Sequence, residues 1–302
     1  MEIAISVIIC THNPNLYYLD KVLMALKSQT LVLEQWELLL VDNANRQLLS
    51  KEIDLTWHPQ ARHIREEELG LTPARLRGIK EARGHLLVFV DDDNVLEQNY
   101  LEVALQISKN WSNLGAWGGI IQPEFEQQPP EWTKPYWIHL AIRDFDRDKW
   151  SNLAYQNETT PCGAGMCVRK VVAEKYAELL HNDSRRSQLD RRGKQLISCG
   201  DTDLALTSCD IGLGTGNFTA LKLTHLIPSN RLQEDYLVKL LEGIGYSVII
   251  LDFLRGKVPT PLSWKRKLFA QLQLWQMSQK DRLLIQAFQK GESRALKEVL
   301  NT

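Results

Sequence analysis

Cysteine is scarce here and shows no pairing pattern. The 302 residues hold five, Cys10, Cys162, Cys167, Cys199 and Cys209, with no C-x-x-C spacing. An odd, scattered set argues against a disulfide framework and against zinc, and points to free thiols in a reducing compartment, the cytoplasm. Long apolar runs are also missing. None approaches the roughly 20 residues that a membrane-spanning helix needs. The first strand pattern opens at Ile3, leaving no room for a signal peptide. Neither sign of charge dominates, with 36 Lys and Arg against 37 Asp and Glu. Such a balance makes no field that would favour nucleic acid or an acidic partner. Internal repeats and low-complexity segments are absent.

What remains is the composition of a globular protein, 44% hydrophobic and 24% charged, long enough for one large α/β domain or a domain with appendages. Strand and helix patterns alternate in the first third. Ile3 to Cys10 is a strand, broken by the turn Thr11-His-Asn-Pro14. Leu19, Val22, Leu23 and Leu26 then repeat at helical spacing. Trp36 to Val41 is a second strand ending at Asp42-Asn43, and His63 to Arg65 a short third. Thr72-Pro73 predicts a helix start, with Leu76, Ile79 and Ala82 facing inward and Gly84 closing the helix. The alternation predicts a parallel sheet covered by helices.

The most informative stretch is Leu86-Leu-Val-Phe-Val-Asp-Asp-Asp-Asn94. Five apolar residues run into three acids, which reads as a buried strand ending in a carboxylate cluster. Adjacent carboxylates repel and lose hydration on burial, so they call for a compensating partner, most simply a divalent cation. The alternative is that the acids and Asn94 only cap the next helix. In open α/β sheets ligands bind outside the carboxyl ends of strands. Thr11 and Asn13, Asp42, and Asp91 to Asp93 all follow strands, with Arg75 in the first turn of the intervening helix.

The middle changes character. Trp111 to Trp150 holds five tryptophans and the pairs Gly118-Gly119 and Pro129-Pro130, and reads as a strand followed by a long irregular segment. Cys162 to Arg169 is a turn and strand before a helix from Val171 to Leu180. Asn182 to Lys194, polar and charged, is expected to be a mobile surface loop. Helices are expected from Asp201 and from Arg231. A helical tail follows from about Pro261, with the stripe Leu268, Phe269, Leu272 and Trp275 beside Lys265-Arg266-Lys267. That stripe suits peripheral contact with an anionic membrane, or packing on this chain or a second copy.

Four segments carry a resemblance. Ser6-Val-Ile-Ile-Cys-Thr-His-Asn-Pro14, Leu38-Leu-Leu-Val-Asp-Asn43, Gly70-Leu-Thr-Pro-Ala-Arg-Leu-Arg-Gly78 and Phe89-Val-Asp-Asp-Asp93 resemble, in order and spacing, the motifs of glycosyltransferase family 2. Leu76 departs from the pattern, since many members have Asn after the Arg. The resemblance covers roughly residues 3 to 250. It implies a GT-A fold, a Rossmann-like mixed sheet flanked by helices, over residues 1–258. Residues 1–110 would bind nucleotide, residues 111–258 would face the acceptor, and residues 259–302 would be a helical extension. The implied activity is inverting transfer from a nucleotide-sugar, a UDP-sugar, to a saccharide or lipid-linked saccharide in surface polysaccharide biosynthesis. No Gln-x-x-Arg-Trp motif is present, which disfavours a processive membrane synthase.

The resemblance also assigns residues. Thr11, Asn13 and Asp42 would contact the nucleoside, Asp42 accepting from an imide N–H, with Arg75 near the base or phosphates. Asp91 and Asp93 match the D-x-D that binds ribose and Mn²⁺ or Mg²⁺, and Asp92 would support the donor site. A hard cation takes oxygen ligands and offsets charge on a departing diphosphate. Cys199-Gly-Asp-Thr-Asp-Leu204 resembles the family's Glu-Asp motif with Gly200 in place of Glu. Asp201 then matches the general base, or else is a first-turn acid favoured by the helix dipole. Gly163 and Gly165 either line the donor pocket or form a turn. His225 is a metal ligand or a structural histidine. Arg231 contacts phosphate or flanks a helix start. Trp132 and Trp137 either stack on acceptor sugars or pack the loop. Two rivals remain: a haloacid-dehalogenase-like phosphatase using Asp91, and a non-catalytic sugar-nucleotide binding module. The expected location is cytoplasmic, with peripheral contact at the inner face of the plasma membrane, and a homo-oligomer is compatible.

Overall fold

A computed structural model describes residues 2–191, 196–257 and 277–301. The chain alternates as its pattern predicts: β1 (Ile5–Thr11), α1 (Leu16–Lys27), β2 (Trp36–Asn43), β3 (Ala61–Glu66), α2 (Leu71–Glu81), β4 (Leu86–Val90). Then follow β5 (Asn94–Leu96), α3 (Tyr100–Asn110), β6 (Leu114–Phe125), β7 (Lys149–Ser151), β8 (Cys167–Arg169) and α4 (Lys170–Asn182). The described chain ends with α5 (Gly200–Asp210), β9 (Gly214–Ile227), α6 (Glu234–Leu254) and α7 (Gln279–Leu300).

Among the described residues the strands form one mixed sheet, ordered β3-β2-β1-β4-β8-β6-β9-β5, with β7 on β9. The first four in that order are parallel, which puts the carboxyl ends of β1, β2 and β4 on one rim. Both faces are covered, so β4 is apolar throughout and β1 and β2 nearly so, with buried Ser6 of β1 donating to Glu37 of β2 at 2.7 Å. Leu86, Val88 and Val90 of β4 pack with residues of α1 and α3, while Leu87 and Phe89 pack on the other face with residues of α2 and α4. In α1, Asn15 accepts from the Tyr17 N–H and caps the helix, and Leu19, Val22, Leu23 and Leu26 form the buried stripe.

Several expectations shift. Helix α2 starts earlier, with Gly70 at its N-cap, and frees the Thr72 hydroxyl for a tertiary contact. It ends at Glu81 rather than at Gly84, whose N–H instead donates to the Ser6 hydroxyl at 2.9 Å. The irregular middle contains a ten-residue 3₁₀ segment, Glu131–Leu140. In the described part of the expected mobile loop lies a 3₁₀ turn, Ser184–Leu189, with Arg186, Leu189 and Asp190 buried, while residues 192–194 lie outside the described residues. Helix α6 begins at Glu234, leaving Arg231 in the turn Ser229–Leu232. The sequence pattern does not predict the long strand β9, because polar Thr224 and His225 interrupt the apolar run that would mark it. Helix α7 packs along α6, burying Leu284 and Ala295. No helix among the described residues is long and apolar enough to cross a membrane. The tail stripe Leu268 to Trp275 and Lys265 to Lys267 lie outside the described residues.

Candidate active site

The carboxyl rim of β1 and β4 floors a cleft of about 360 Å³. Thr11, Arg75, Asp91, Asp92, Asp93, Gly163, Asp201, His225 and Arg231 all line it. Each arrives by a separate route. Thr11 ends β1, and its hydroxyl donates to Asp92. Beyond β4 the chain turns through the three acids, closed by the Asn94 N–H on the Asp91 carbonyl at 3.0 Å. It then re-enters the sheet as β5, antiparallel to β9 with Asn94 opposite His225. That pairing delivers His225 and the following Arg231 to Asp93.

The three acids have unequal surroundings. The Asp93 Oδ2 lies 2.9 Å from Arg231 Nη2 and 3.4 Å from His225 Nε2, and Asn94 donates to its Oδ1 at 3.0 Å. Burial works against ionising Asp93, but His225 and Arg231 outweigh it and hold the carboxyl well below its usual range. Asp92 is pushed up to about 7 by burial and then by the charge on Asp93, despite its bond from Thr11. Asp91 is also raised, by burial and Asp93, with Arg75 opposing.

Five carboxylates line the cleft, at Asp91, Asp92, Asp93, Asp190 and Asp201, against three guanidiniums, at Arg75, Arg191 and Arg231. Carboxylate oxygens and the His225 imidazole suit a hard divalent cation, which would relieve the excess. Among the described residues no three His, Cys, Asp or Glu side chains converge tightly enough to hold a metal unaided. A cation here would need a bound ligand's oxygens to complete its coordination. The His225 Nδ1 is buried with no hydrogen-bond partner among the described residues.

Across the cleft, Asp201 stands in the first turn of α5. Its Oδ2 accepts from the Gly163 N–H at 2.7 Å and its Oδ1 from the Thr202 N–H at 2.8 Å. Asp203, two residues on, is structural: it is buried and pairs with Arg186 at 2.6 Å and Arg255 at 2.8 Å. Between the two clusters lies Arg75, its Nη1 3.2 and 3.3 Å from the two oxygens of Asp190. Burial acts to lower the Arg75 pKa, but Asp190 and the other acids around it more than reverse that, so the guanidinium stays charged. Thr72 donates to the same Asp190 carboxylate at 2.8 Å.

Other expected site residues are not brought to the cleft. Asp42 pairs in register with Thr11, yet its carboxylate is taken by Arg65 at 2.5 Å, Asn45 at 2.6 Å and the Leu49 N–H at 3.0 Å. Burial acts to raise it, and these bonds together hold it below its usual range. Asn13, exposed, turns left-handed and anchors its N–H on Asn45. Gly165 is a packing glycine: a Cβ there would lie 2.5 Å from Leu223 and 2.6 Å from the Tyr100 hydroxyl.

Trp132 and Trp137 pack rather than line the cleft. Both join the cluster around Leu237, Leu241 and Leu284, with Lys280 over the Trp132 ring at 4.2 Å and Trp137 4.9 Å from Phe125. Their segment gives the cleft His139, Leu140 and Ala141 instead. Sequence reasoning missed these, together with Asp190, Arg191 and Tyr236. Nothing in the sequence marks them, because Asp190 sits in a run of charges that reads as solvated surface. His12 and Asn43, also at the cleft, stand inside the first two family-like motifs.

A family model described as "Glycosyl transferase family 2" matches residues 6–176. A curated relative, the glucosyl-dolichyl phosphate glucuronosyltransferase of Haloferax volcanii, is 24% identical over 139 residues, 44% of each chain. The match thus spans less than half the length of that relative. Among solved structures, TarS residues 1–349 of S. aureus in complex with UDP-GlcNAc aligns over 98% of this chain and 84% of that one, with a TM-score of 0.55 at 12% identity. The same TarS fragment in complex with UDP aligns over 98% and 89%, with a TM-score of 0.54 at 12% identity. At such identity the likeness establishes the GT-A fold alone.

Proposed function

The chain belongs to glycosyl transferase family 2, and we propose that it transfers a sugar, with inversion, from a UDP-sugar to a hydroxyl of a saccharide or lipid-linked saccharide in surface polysaccharide assembly. One observation carries the reading: the strand-end acids Asp91 to Asp93 and the helix-start acid Asp201 face a single cleft, with Arg75 and Arg231 between and beside them. UDP and UDP-GlcNAc, the ligands of the two TarS complexes, support a uridine nucleotide. The name of the Haloferax volcanii relative supports glycosyl transfer onto a lipid-linked acceptor.

In this reading the diphosphate lies between the β4 acids and the two arginines. Asp91 and Asp93, with His225, would hold Mg²⁺ or Mn²⁺, which when bound would offset charge on the departing diphosphate. Arg231 and Arg75 add positive charge at the same end. Asp201 takes the proton of the acceptor hydroxyl as its oxygen bonds to the anomeric carbon. The bond from that carbon to the diphosphate breaks, its electron pair leaving with UDP.

Incubating the protein with a panel of UDP-sugars and Mn²⁺ tests this. UDP release is expected from at least one donor, lost with EDTA and lost in Asp93→Ala. No release from any donor, with or without saccharide acceptors, overturns the reading. Phosphate release from a phosphomonoester, independent of any nucleotide sugar, would point to the phosphatase alternative.

A further inference from the structure

The segment carrying the candidate base begins Gly200-Asp201, where the related motif more often has an acid before the Asp. The structure puts another side chain in that space. A Cβ built on Gly200 would fall deep inside contact distance of the Asp190 carboxyl group, with even the farther carboxylate oxygen only 2.5 Å away. Non-bonded atoms do not approach so closely, so a side chain at 200 and the present position of Asp190 exclude one another.

The Asp190 carboxylate is held there from both sides. Asp190 is 5% exposed and Arg75 4%. Thr72 and Arg75 of α2 both donate to it. Its own segment is clamped in turn. Arg186 reaches Asp203 of α5 at 2.6 Å and the Leu254 carbonyl of α6 at 3.2 Å, while the Leu71 N–H meets the Arg191 carbonyl at 3.4 Å. With its Nη1 on Asp190, Arg75 turns its Nη2 towards Gly163, 3.0 Å from where a Cβ there would sit, beside Asp201 Oδ2 at 3.2 Å from the same point.

We propose that Asp190 is the positioning residue for Arg75: from a neighbouring segment it supplies a carboxylate in the space left by Gly200, and so holds the guanidinium at the diphosphate end of the cleft and off the Asp201 base. This rests on the transfer reaction proposed above. An unpaired guanidinium in so dry a place draws to the nearest carboxylate. Without Asp190 the acids within reach are Asp201 and Asp91, whose charges Arg75 already feels. An ion pair with Asp201 would occupy the lone pair that should accept the proton. Losing Asp190 should therefore depress turnover more than nucleotide binding.

The experiment compares the whole protein with Asp190→Asn, Asp190→Ala, Gly200→Ala and the double variants Asp190→Ala/Gly200→Glu and Asp190→Ala/Gly200→Ala. It reads kcat and KM for UDP release, calorimetric affinity for UDP, and Tm. Asp190→Asn and Gly200→Ala should each lower kcat about tenfold or more, with a smaller fall in UDP affinity. Returning a carboxylate at 200 in Asp190→Ala/Gly200→Glu should recover turnover relative to Asp190→Ala. Wild-type kinetics in Asp190→Asn or in Gly200→Ala overturns the proposal, as does Asp190→Ala/Gly200→Glu no better than Asp190→Ala. If Asp190→Asn does not fold, Gly200→Ala decides, since it displaces the carboxylate without removing its charge. If wild type releases no UDP from any donor, the transfer reading has failed. Stability then still tests the spatial relation: Gly200→Ala should lower Tm in the presence of Asp190 but not in Asp190→Ala, and equal lowering in both overturns it.

Discussion

The Gly163 backbone N–H donates to Asp201 Oδ2 at 2.7 Å and joins the two walls of the cleft. Gly163 belongs to the turn before β8 and Asp201 to the start of α5, so sheet and helix meet at one carboxylate. The Thr202 N–H fixes the other oxygen. Each carboxylate oxygen keeps a second lone pair, so the group is oriented yet still able to accept a proton.

Replacing Asp201 by Asn removes that proton acceptor and points an amide at one of the two N–H donors. Transfer should fall by about 10²–10⁴-fold, with UDP affinity by calorimetry within about threefold of wild type. A parallel loss of affinity would place Asp201 in donor binding instead.

Gly163 leaves room for two charged groups at once. A Cβ there would stand 3.0 Å from Arg75 Nη2 and 3.2 Å from Asp201 Oδ2, although the Gly163 backbone itself is not left-handed. Gly163→Ala should therefore fold, but push the two charged groups aside and lower kcat about tenfold or more. Steady-state kinetics beside circular dichroism checks this, and unaltered kcat would show that the site tolerates the shift.

Asp92 gives a pH signature. Its carboxyl titrates at about 7 in the folded protein against 3.8 as a free side chain. Over that interval the folded state holds a proton that the unfolded chain has lost. This contribution to stability therefore falls as pH rises from about 4 to about 7, by up to ~1.4 kcal/mol per pH unit. Asp93 acts in the opposite sense: its lowered folded pKa stabilises above the unfolded value and is lost only in more acid solution. Urea unfolding of wild type and Asp92→Asn without divalent metal, from pH 4.5 to 7.5, should show wild type losing ground to the variant as pH rises. A constant difference would contradict the assignment.

Trp137 is expected to matter for stability rather than chemistry. Its indole packs on Phe125 and donates to the Thr133 hydroxyl at 3.1 Å. Trp137→Ala should cost about 2 kcal/mol in urea unfolding and leave donor hydrolysis near wild type. A raised acceptor KM with unchanged stability would restore the sugar-stacking role.

The sequence by itself determined the rim. A strand buried on both faces is written in consecutive residues, as in Leu86 to Val90, and the acids that follow it stay at its end whatever the rest of the chain does. Helix α1 is legible for the same reason, since its stripe repeats within a single turn or two. Tertiary structure decided the pairings between distant segments. His225 reaches Asp93 only because β5 runs antiparallel to β9. Asp190 reaches Arg75 and fills the space beside Gly200 only because its turn is clamped to α5 and α6. Trp132 and Trp137 pack outside the cleft, against Leu237 and Leu241 of α6 and Leu284 of α7. Local periodicity records which face of an element is apolar. It holds no record of which charge, far along the chain, neutralises which, because burial and pairing are fixed only once the sheet order is.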